Sequence, residues 1–439
     1  MSASLVGSEM CIRDSNNITL YCEASEKPDG YEDGWSGYNP IIWGVDIEDK
    51  IEEVIQADMK FILKEADKTA TLMGFDGAGK ENLEIPSEVK LDNKSYTVTV
   101  ISALGENPEL KSITAPDSVI KIEKGAFAGC TNLESITLPF VGAELNGTTN
   151  THFGYIFGAS GDSENSKCVP DTLSSIIISG GTVAANAFYG CSIDGSVVFE
   201  QNVTAIAQSA LLECSVKSLT LPFLGENESD ISHAFFGYIF GATTYDQNDR
   251  YVPESLKLVT ITANKIGDYA FANCSSLEKI LVSDGIQEIG RNVFEGCSNL
   301  KYNIDNMEAK YIDGIKNACL ILVDGTNVSG AYTPNANTRI IANNAFESCT
   351  ELSGITIPQN VVMIGDKAFA GCTGISEMVI PDNVQSIGLG AFAGCNGMTK
   401  ITIPFVGAEL NGTTNTHFGY IFGAESYLEN VSHVPERLK

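Results

Sequence analysis

Eight cysteines recur at regular intervals, and their thiols are the groups in this sequence best suited to chemistry. Thiolates bind zinc, form disulfides and act as nucleophiles. Four of the seven gaps between these cysteines are 23 residues, and the others are 61, 60 and 52 residues. The eight are Cys130, Cys191, Cys214, Cys274, Cys297, Cys349, Cys372 and Cys395.

This spacing favours buried thiols over a metal site or a set of disulfides. Zinc sites use pairs of cysteines two to four residues apart that converge on one point. Neighbouring units of a stacked array lie about 4.8 Å apart, so distance alone permits a disulfide. Side chains that point the same way, however, give poor disulfide geometry. We expect small, reduced core residues. Cys22, Cys168 and Cys319 fall outside the series and have no evident partner.

Three other motifs that could carry chemistry are better interpreted as structure. The segment GFDGAGKE at residues 74–81 resembles a phosphate-binding loop, but Glu81 stands where Ser or Thr would hold Mg²⁺, and Pro86 prevents the required helix. The segment DGYEDG near Asp29 lacks the later Glu of a calcium loop. We expect turns at both places. No nucleophile is spaced to pair with a histidine. The histidines are His152, His233, His417 and His433. The sequence predicts no enzyme activity, no cofactor and no metal.

The cysteines belong to a repeat with the pattern A-F-x-G-C-x-x-L-x-x-I-x-I-P. After Cys130, for example, come Leu133, Ile136, Leu138 and Pro139. The apolar positions that alternate with Ser or Thr predict a strand with one buried face, which the proline ends. A V-x-x-I-G return follows, and we expect A-F-x-G-C to be a short helical turn. Its phenylalanines should stack inside the array; they are Phe127, Phe188, Phe271, Phe294, Phe346, Phe369 and Phe392.

One such unit cannot bury its apolar face alone, whereas stacked units share a continuous core. The period of 23 lies within the range of leucine-rich repeats. Stepping back one period gives Leu104 and Asn107, a first unit with Asn where the others have Cys. The predicted fold is a β-rich leucine-rich-repeat solenoid, with a short parallel strand and a short helical turn per 23-residue rung. Elongated insert rungs and an N-terminal β-hairpin cap complete it.

The longer gaps are themselves repeated. Residues 139–159 are identical to residues 404–424, and residues 222–242 are a diverged copy that keeps PF and FGYIFGA. Each copy is followed, eleven residues after its last Ala, by a proline (Pro170, Pro253 or Pro435), and we take each insert to extend to that proline. We interpret each insert as an elongated rung and not as a separate domain. Between Asn299 and Arg339 the pattern lapses, and the alternation there predicts a hairpin-like irregular rung.

Aromatic residues of these inserts are the candidate binding residues. Loops on a rigid scaffold often carry function, and aromatic side chains are frequent at binding hot spots. The alternative is that the insert folds against the solenoid and buries the rings. The candidates are Phe153, Tyr155, Phe157, Tyr238, Phe240, Tyr420 and Phe422.

The repeat and the PFVG…FGYIFGA insert resemble those of BspA-like leucine-rich-repeat proteins of gut Firmicutes, over about residues 58–439. We expect residues 1–15 to derive from a sequencing adaptor and residues 16–57 to be the tail of a preceding array with a linker. Residues 58–103 should form the β-hairpin cap, and residues 104–439 the solenoid. The final VPERLK matches VPESLKLVTIT of the second insert, so we expect the array to be cut within a rung.

Charge narrows the classes of partner. The chain has 56 acidic and 27 basic residues, a formal net charge of −29, which repels nucleic acid and anionic membranes. No run of 18 apolar residues predicts a transmembrane span. The family resemblance implies a secreted or cell-surface protein with an adhesive role. Its partner would be a protein, such as a host matrix protein, or a glycan. The alternatives are a targeting arm of a larger secreted enzyme and a structural spacer.

The outward residues of the predicted strands would form the contact face. These residues are mostly small and polar, which favours a broad contact of modest affinity. Examples are Glu134, Ser135, Thr137, Glu278, Lys279, Glu377, Thr399 and Thr402.

Overall fold

The computed structural model describes residues 51–438, together with the backbone of two short strands, β1 (Leu20–Cys22) and β2 (Ile41–Trp43), which pair in parallel. The segment expected to derive from an adaptor, residues 1–15, lies outside the described residues. Most of residues 16–57 also lie outside them, including Asp29 and the side chain of Cys22. The chain forms two compact units, one up to Leu173 and the other from Ser174.

The first unit begins with an antiparallel sheet and continues into parallel strands. Its strands are β3 (Ile51–Gln56), β4 (Met59–Lys64), β5 (Thr69–Phe75), β6 (Asn82–Glu84), β7 (Glu88–Leu91), β8 (Lys94–Ile101), β9 (Ser112–Thr114), β10 (Lys121–Ile122) and β11 (Ser135–Leu138). Strands β3, β4 and β5 form an antiparallel meander, and β7 pairs antiparallel with β8. The β-hairpin expected in residues 58–103 is therefore present, and its sheet begins earlier, at Ile51.

Parallel pairing then takes over in this unit. Strand β8 pairs in parallel with β5 and β10, and β9 pairs in parallel with β6 and β11. The glycine-rich segment at residues 74–81 is a turn between β5 and β6, closed by the Lys80 amide, which donates to the Gly77 carbonyl (2.8 Å). The predicted turn is confirmed.

The second unit is a stack of parallel strands. They are β12 (Ser175–Val183), β13 (Ser192–Ile206), β14 (Ser215–Leu221), β15 (Leu258–Ile261), β16 (Lys265–Ile266), β17 (Lys279–Val282), β18 (Glu288–Ile289), β19 (Asn303–Ile304), β20 (Lys310–Gly314), β21 (Ile321–Asp324), β22 (Gly330–Tyr332), β23 (Ile340–Ile341), β24 (Leu352–Ile355), β25 (Met363–Ile364), β26 (Glu377–Val379), β27 (Ser386–Ile387) and β28 (Lys400–Thr402).

The register of this stack follows the repeat. Strands β12, β13, β14, β15 and β17 pair in parallel in that order, and β23, β25 and β27 do the same. Met363 pairs with Ser386, and Glu377 pairs with Lys400, so equivalent residues of successive rungs face each other. The predicted leucine-rich-repeat solenoid fold is confirmed.

Helices occur only within the inserts among the described residues, and each insert has the same three. The first insert has 3-10 helices Phe153–Phe157 and Asp162–Glu164 and the helix α1 (Asn165–Cys168); the second has 3-10 helices Phe236–Phe240 and Tyr245–Gln247 and α2 (Asn248–Tyr251); the third has 3-10 helices Phe418–Phe422 and Tyr427–Glu429 and α3 (Asn430–His433).

The A-F-x-G-C segment, expected to be a short helical turn, is a run of turns that also bonds to the next rung. The Phe369 amide donates to the carbonyl oxygen of Ala391 in the next rung (2.7 Å). Two residues on, the Gly371 amide donates in the same way to Ala393 (2.7 Å). The Cys372 amide instead donates to the carbonyl three residues earlier, in its own rung (3.1 Å). Alternate amides therefore join neighbouring rungs, as they do in a sheet.

The predicted phenylalanine stack is confirmed, with one exception. The rings of Phe346, Phe369 and Phe392 are fully buried, with centroids 5.1 and 5.6 Å apart and ring planes within 6° and 3° of parallel. We call this column of rings, with its counterparts in the other rungs, the phenylalanine ladder. Phe294 stacks on Phe271 at 6.4 Å but is only half-buried. The expectation that every ladder ring lies inside is therefore wrong at Phe294.

The first rung has the predicted Asn, and its side chain donates hydrogen bonds to backbone carbonyls, as the cysteine thiol does in later rungs. The buried Asn107 amide nitrogen donates to the carbonyl oxygens of Phe75 (3.1 Å) and Leu104 (2.8 Å). The Cys372 thiol donates likewise to the Phe346 carbonyl of the preceding rung (3.0 Å). Both residue types therefore tie the turn to the element before it, which explains why either is accepted at this position.

The irregular rung between Asn299 and Arg339 is a hairpin, as predicted. Strands β20 and β21 pair antiparallel, and β19 adds a third antiparallel strand. The regular rungs on either side are joined directly. The Arg339 guanidinium donates to the Ile286 carbonyl (2.9 Å), and the Asn343 side-chain amide donates to the Gly290 carbonyl (2.9 Å).

Shortening Phe369 to alanine should lower the free energy of unfolding by about 3–5 kcal/mol, because the ring is fully buried between two others. Phe294→Ala is the matched control and should cost clearly less, because this ring is only half-buried. Urea titrations followed by circular dichroism give both values. An equal or larger loss in Phe294→Ala would contradict the ladder as described.

Candidate interaction surface

Each insert is built around a glycine that an asparagine approaches closely. The Gly237 amide donates to the Asn248 side-chain oxygen (2.9 Å), and the Asn248 side-chain nitrogen donates to the Ala272 carbonyl of the following rung (2.8 Å). A Cβ atom at Gly237 would lie 2.4 Å from that asparagine oxygen. Equivalent bonds join Gly154 to Asn165 (2.8 Å) and Gly419 to Asn430 (2.8 Å).

The FGYIF helix of each insert takes the place of the next rung. The Phe127 amide donates to the Ile156 carbonyl (2.9 Å), and the Phe392 amide donates to the Ile421 carbonyl (2.8 Å). These are the bonds that a neighbouring A-F-x-G-C segment accepts elsewhere. The inserts are therefore elongated rungs, as predicted.

The structure places most of the candidate aromatic residues inside the protein. Tyr155 and Tyr420 are half-buried, and the other five rings are at most 7 % exposed. Those five are Phe153, Phe157, Tyr238, Phe240 and Phe422. Phe157 and Phe422 extend the ladder, with ring centroids 6.3 Å from Phe127 and Phe392 respectively. The packing alternative describes these five rings, and direct contact with a ligand remains a hypothesis for Tyr155 and Tyr420.

The equivalent histidines of the first and third inserts also have structural partners. The His152 ring nitrogen Nε2 lies 3.2 Å from the Ala159 carbonyl oxygen, and that of His417 lies 2.9 Å from the Ala424 carbonyl oxygen. Each bond closes the loop around an FGYIF helix. Neither histidine has a nucleophilic side chain among the hydrogen-bond partners found in the described residues.

The exposed edge of each insert follows the FGYIFGA segment that the three copies share. Sequence reasoning missed this edge. Leu428 and Val431 of the third insert are 77 % and 93 % exposed. The first insert has Ser163 and Ser166 at these positions, and the second has Asp246 and Asp249; all four are exposed. We call these two positions in each copy the insert edge. The signal was available, because the first and third copies are identical up to Ala159 and Ala424 and diverge directly afterwards.

The predicted outward strand residues do face solvent. Glu134, Lys279, Glu377, Thr399 and Thr402 are exposed, and Ser135, Thr137 and Glu278 are half-buried. They alternate with buried residues such as Ile136 and Met378. The strands therefore present a polar face along each unit.

Opposite charges also pair across rungs, one period apart. Lys217 lies 2.6 Å from Asp194, Lys265 lies 2.7 Å from Glu288, and Arg291 lies 2.7 Å from Asp268. Exposed pairs of this kind stabilise a fold by about 0–1 kcal/mol. Scanning the sequence for opposite charges 23 residues apart could have found them.

The cysteines of the repeat are core residues. All eight cysteines of the ladder are buried and reduced, as expected. Burial raises the pKa of the Cys214 and Cys395 thiols to about 12, so neither is a thiolate at neutral pH. Within the described residues, no three His, Cys, Asp or Glu side chains are grouped so that they could hold a metal ion. No helix in residues 51–438 is both long enough and apolar enough to span a bilayer.

Stacked parallel strands with a buried phenylalanine in most rungs define a leucine-rich-repeat protein. The family described as "BspA type Leucine rich repeat region" matches in six copies, over residues 101–148, 169–241, 251–319 and 326–432. These segments cover more than half of the sequence, and the chain belongs to this family. Comparison with curated proteins gave no match.

The chain is similar to several solved structures of bacterial leucine-rich-repeat proteins. A leucine-rich repeat protein from Bacteroides ovatus is 18 % identical, with 80 % of this chain and 89 % of that chain covered and a TM-score of 0.23. A leucine-rich cell surface protein from Faecalibacterium prausnitzii is 17 % identical, with 84 % and 98 % covered and a TM-score of 0.22. The pneumococcal vaccine antigen PcpA is 14 % identical, with 88 % and 92 % covered and a TM-score of 0.21. Scores this low transfer no site and no partner.

Iodoacetamide should modify the native chain selectively. Among the described cysteines, Cys168 on α1 is partly exposed and should react first, whereas the eight ladder thiols should react only after denaturation in urea. Peptide mass mapping of native and unfolded samples gives the extent at each site. Modification of Cys372 in the native chain as fast as that of Cys168 would show that the ladder is not buried.

Proposed function

We propose that this chain is a non-catalytic binding scaffold, secreted or held at the cell surface, that adheres to a protein partner. The observation that carries the proposal is the contrast between a largely buried ladder and exposed positions whose chemistry changes from copy to copy. Leu428 and Val431 replace the serines and aspartates found at the same positions of the other insert edges. Variation at exposed positions suits recognition, because the rigid rungs hold the edges in place.

The polar strand face supports a broad contact. Its exposed residues are mostly Thr, Ser, Glu and Lys, without a deep apolar anchor, and broad polar contacts of this kind distribute the binding energy over many residues. The net charge of −29 favours partners with basic surfaces. We expect Tyr155 and Tyr420 to contribute at most a partial ring surface, while the buried rings fix the shape of the inserts.

The cell-surface or secreted location rests on the family to which the chain belongs, whose members are typically surface-associated. A protein is the partner that such repeats favour, and a host matrix protein or a glycan is the specific form of the proposal.

Solid-phase binding to a panel of extracellular matrix proteins and mucin-type glycans tests this function. The full chain should bind at least one of them above the level of an unrelated acidic protein of similar net charge. Binding that does not exceed this control for any member of the panel would contradict the proposal.

Introducing negative charge at the third insert edge makes this test more specific. The double substitution Leu428→Asp and Val431→Asp reproduces the edge of the second insert, which carries Asp246 and Asp249, so the fold should be kept. Binding to the same partner should weaken by about two- to fivefold, the effect of losing a few modest contacts. Ser163→Ala with Ser166→Ala in the first insert is the matched control, and it isolates the third edge if its effect is smaller.

A further inference from the structure

The phenylalanine ladder is interrupted at the hairpin of strands β20 and β21. Phe346 packs between Tyr332 (5.9 Å) and Phe369 (5.1 Å), so both of its faces are covered by rings. Phe294 has a ring contact with Phe271 alone among the described residues, at 6.4 Å and 11°. The half-buried Phe294 also lines a cavity of about 260 Å³. One stacking position of the ladder is therefore vacant beside Phe294.

The walls of this cavity combine apolar and polar groups. Phe294 and Val323 supply apolar surface. Lys310 and Asp324 form an ion pair (2.7 Å) whose side chains are 36 % and 32 % exposed. Tyr302 also lines the cavity, and its hydroxyl makes no hydrogen bond within residues 51–438. A ligand entering here would find a ring face, a hydrogen-bonding hydroxyl and two charged groups.

The sequence itself changes where the cavity forms. Ala342 occupies the position that is Gly365 and Gly388 in the next two rungs. At Gly365 and Gly388 a Cβ would lie 2.5 and 2.2 Å from a backbone nitrogen of the preceding rung. Ala342 has a Cβ at this position, where the hairpin precedes it in the chain, and it lines the cavity together with Gly290 of the regular rung before the hairpin. The space is therefore built into the sequence.

We propose that this cavity is a pocket for one aromatic side chain of a partner peptide, with a ring that carries a hydrogen-bond donor, as tryptophan does. The ring would stack on Phe294 in the place that a ladder phenylalanine fills in regular rungs, and its donor would meet Tyr302 or Asp324. Ligand pockets for drug-sized molecules span about 300–1,000 Å³, so 260 Å³ suits a single side chain. This inference rests on the proposed binding function and gives it a specific contact.

Charge selects the residues that flank this aromatic side chain. Glu295 is exposed at the cavity, beside the Lys310–Asp324 ion pair, within a chain of net charge −29. Basic residues next to the ring are therefore favoured over acidic ones. The peptide that fits best has lysine or arginine on both sides of a tryptophan.

Calorimetric titration with acetyl-Lys-Trp-Lys-amide tests the pocket on the full chain. The wild-type chain should bind one equivalent, and acetyl-Lys-Leu-Lys-amide should bind about tenfold more weakly, because it lacks the ring and the donor. Ala342→Leu should fill the cavity and weaken binding of the tryptophan peptide by about tenfold. Ala342→Gly, the matched control, should leave that binding within about twofold.

The outcomes separate this inference from the proposed function. Circular dichroism melts of the two Ala342 variants establish that both are folded, and Phe294→Leu provides a second way to remove the stacking surface. No saturable binding by wild type, equal binding of the two peptides, or unchanged affinity in both Ala342→Leu and Phe294→Leu would overturn the pocket. Matrix binding by wild type that persists alongside any of these results leaves the scaffold function standing without the pocket.

Discussion

No rung of this protein can satisfy its own backbone or bury its own apolar face, and the rest of the structure follows from that constraint. The Phe369 and Gly371 amides need the carbonyl groups of the next rung, and the Phe369 ring needs a ring on each side. A buried amide without a partner costs about 1–3 kcal/mol, so a rung without its neighbour is unstable. The 23-residue period is the chain length that returns each amide and ring to its partner.

The inserts and the hairpin are different ways to meet the same constraint. Each FGYIF helix offers its carbonyl groups to the preceding rung and places a phenylalanine in the ladder, so a longer rung still completes its neighbour. The hairpin does so incompletely. Arg339 and Asn343 reach past it to join the regular rungs, and the ring of Phe294 has Phe271 as its one aromatic neighbour among the described residues. The regular rungs thus support the fold, and recognition is proposed at the inserts and the hairpin.

Much of this fold could be predicted because the repeat encodes burial locally. The positions of Ile136 and Phe127 within the unit were enough to assign them to the core, and the one-period step identified Asn107 as the equivalent of a cysteine. The turn geometry of A-F-x-G-C could not be predicted, since its amides bond to residues 22 positions away, as Phe369 does to Ala391. A local pattern contains no information on such partners.

The candidate site was less predictable for a related reason. Aromatic residues at close spacing indicate either packing or recognition, and the choice depends on whether a neighbouring rung covers them. Phe153 is covered, whereas Tyr155 two residues away is only half-buried. The cavity beside Phe294 lies where the hairpin replaces a regular rung. A search for the repeat pattern detects the rungs that match it and not a space between them.

Amide hydrogen exchange, resolved by residue, tests most directly whether rungs complete one another. If the rungs complete one another, the Phe369 and Gly371 amides, which bond across rungs, should be protected as strongly as the Cys372 amide, which bonds within its own rung. Exchange of Phe369 and Gly371 at the rate of exposed turn amides, with Cys372 still protected, would contradict this expectation.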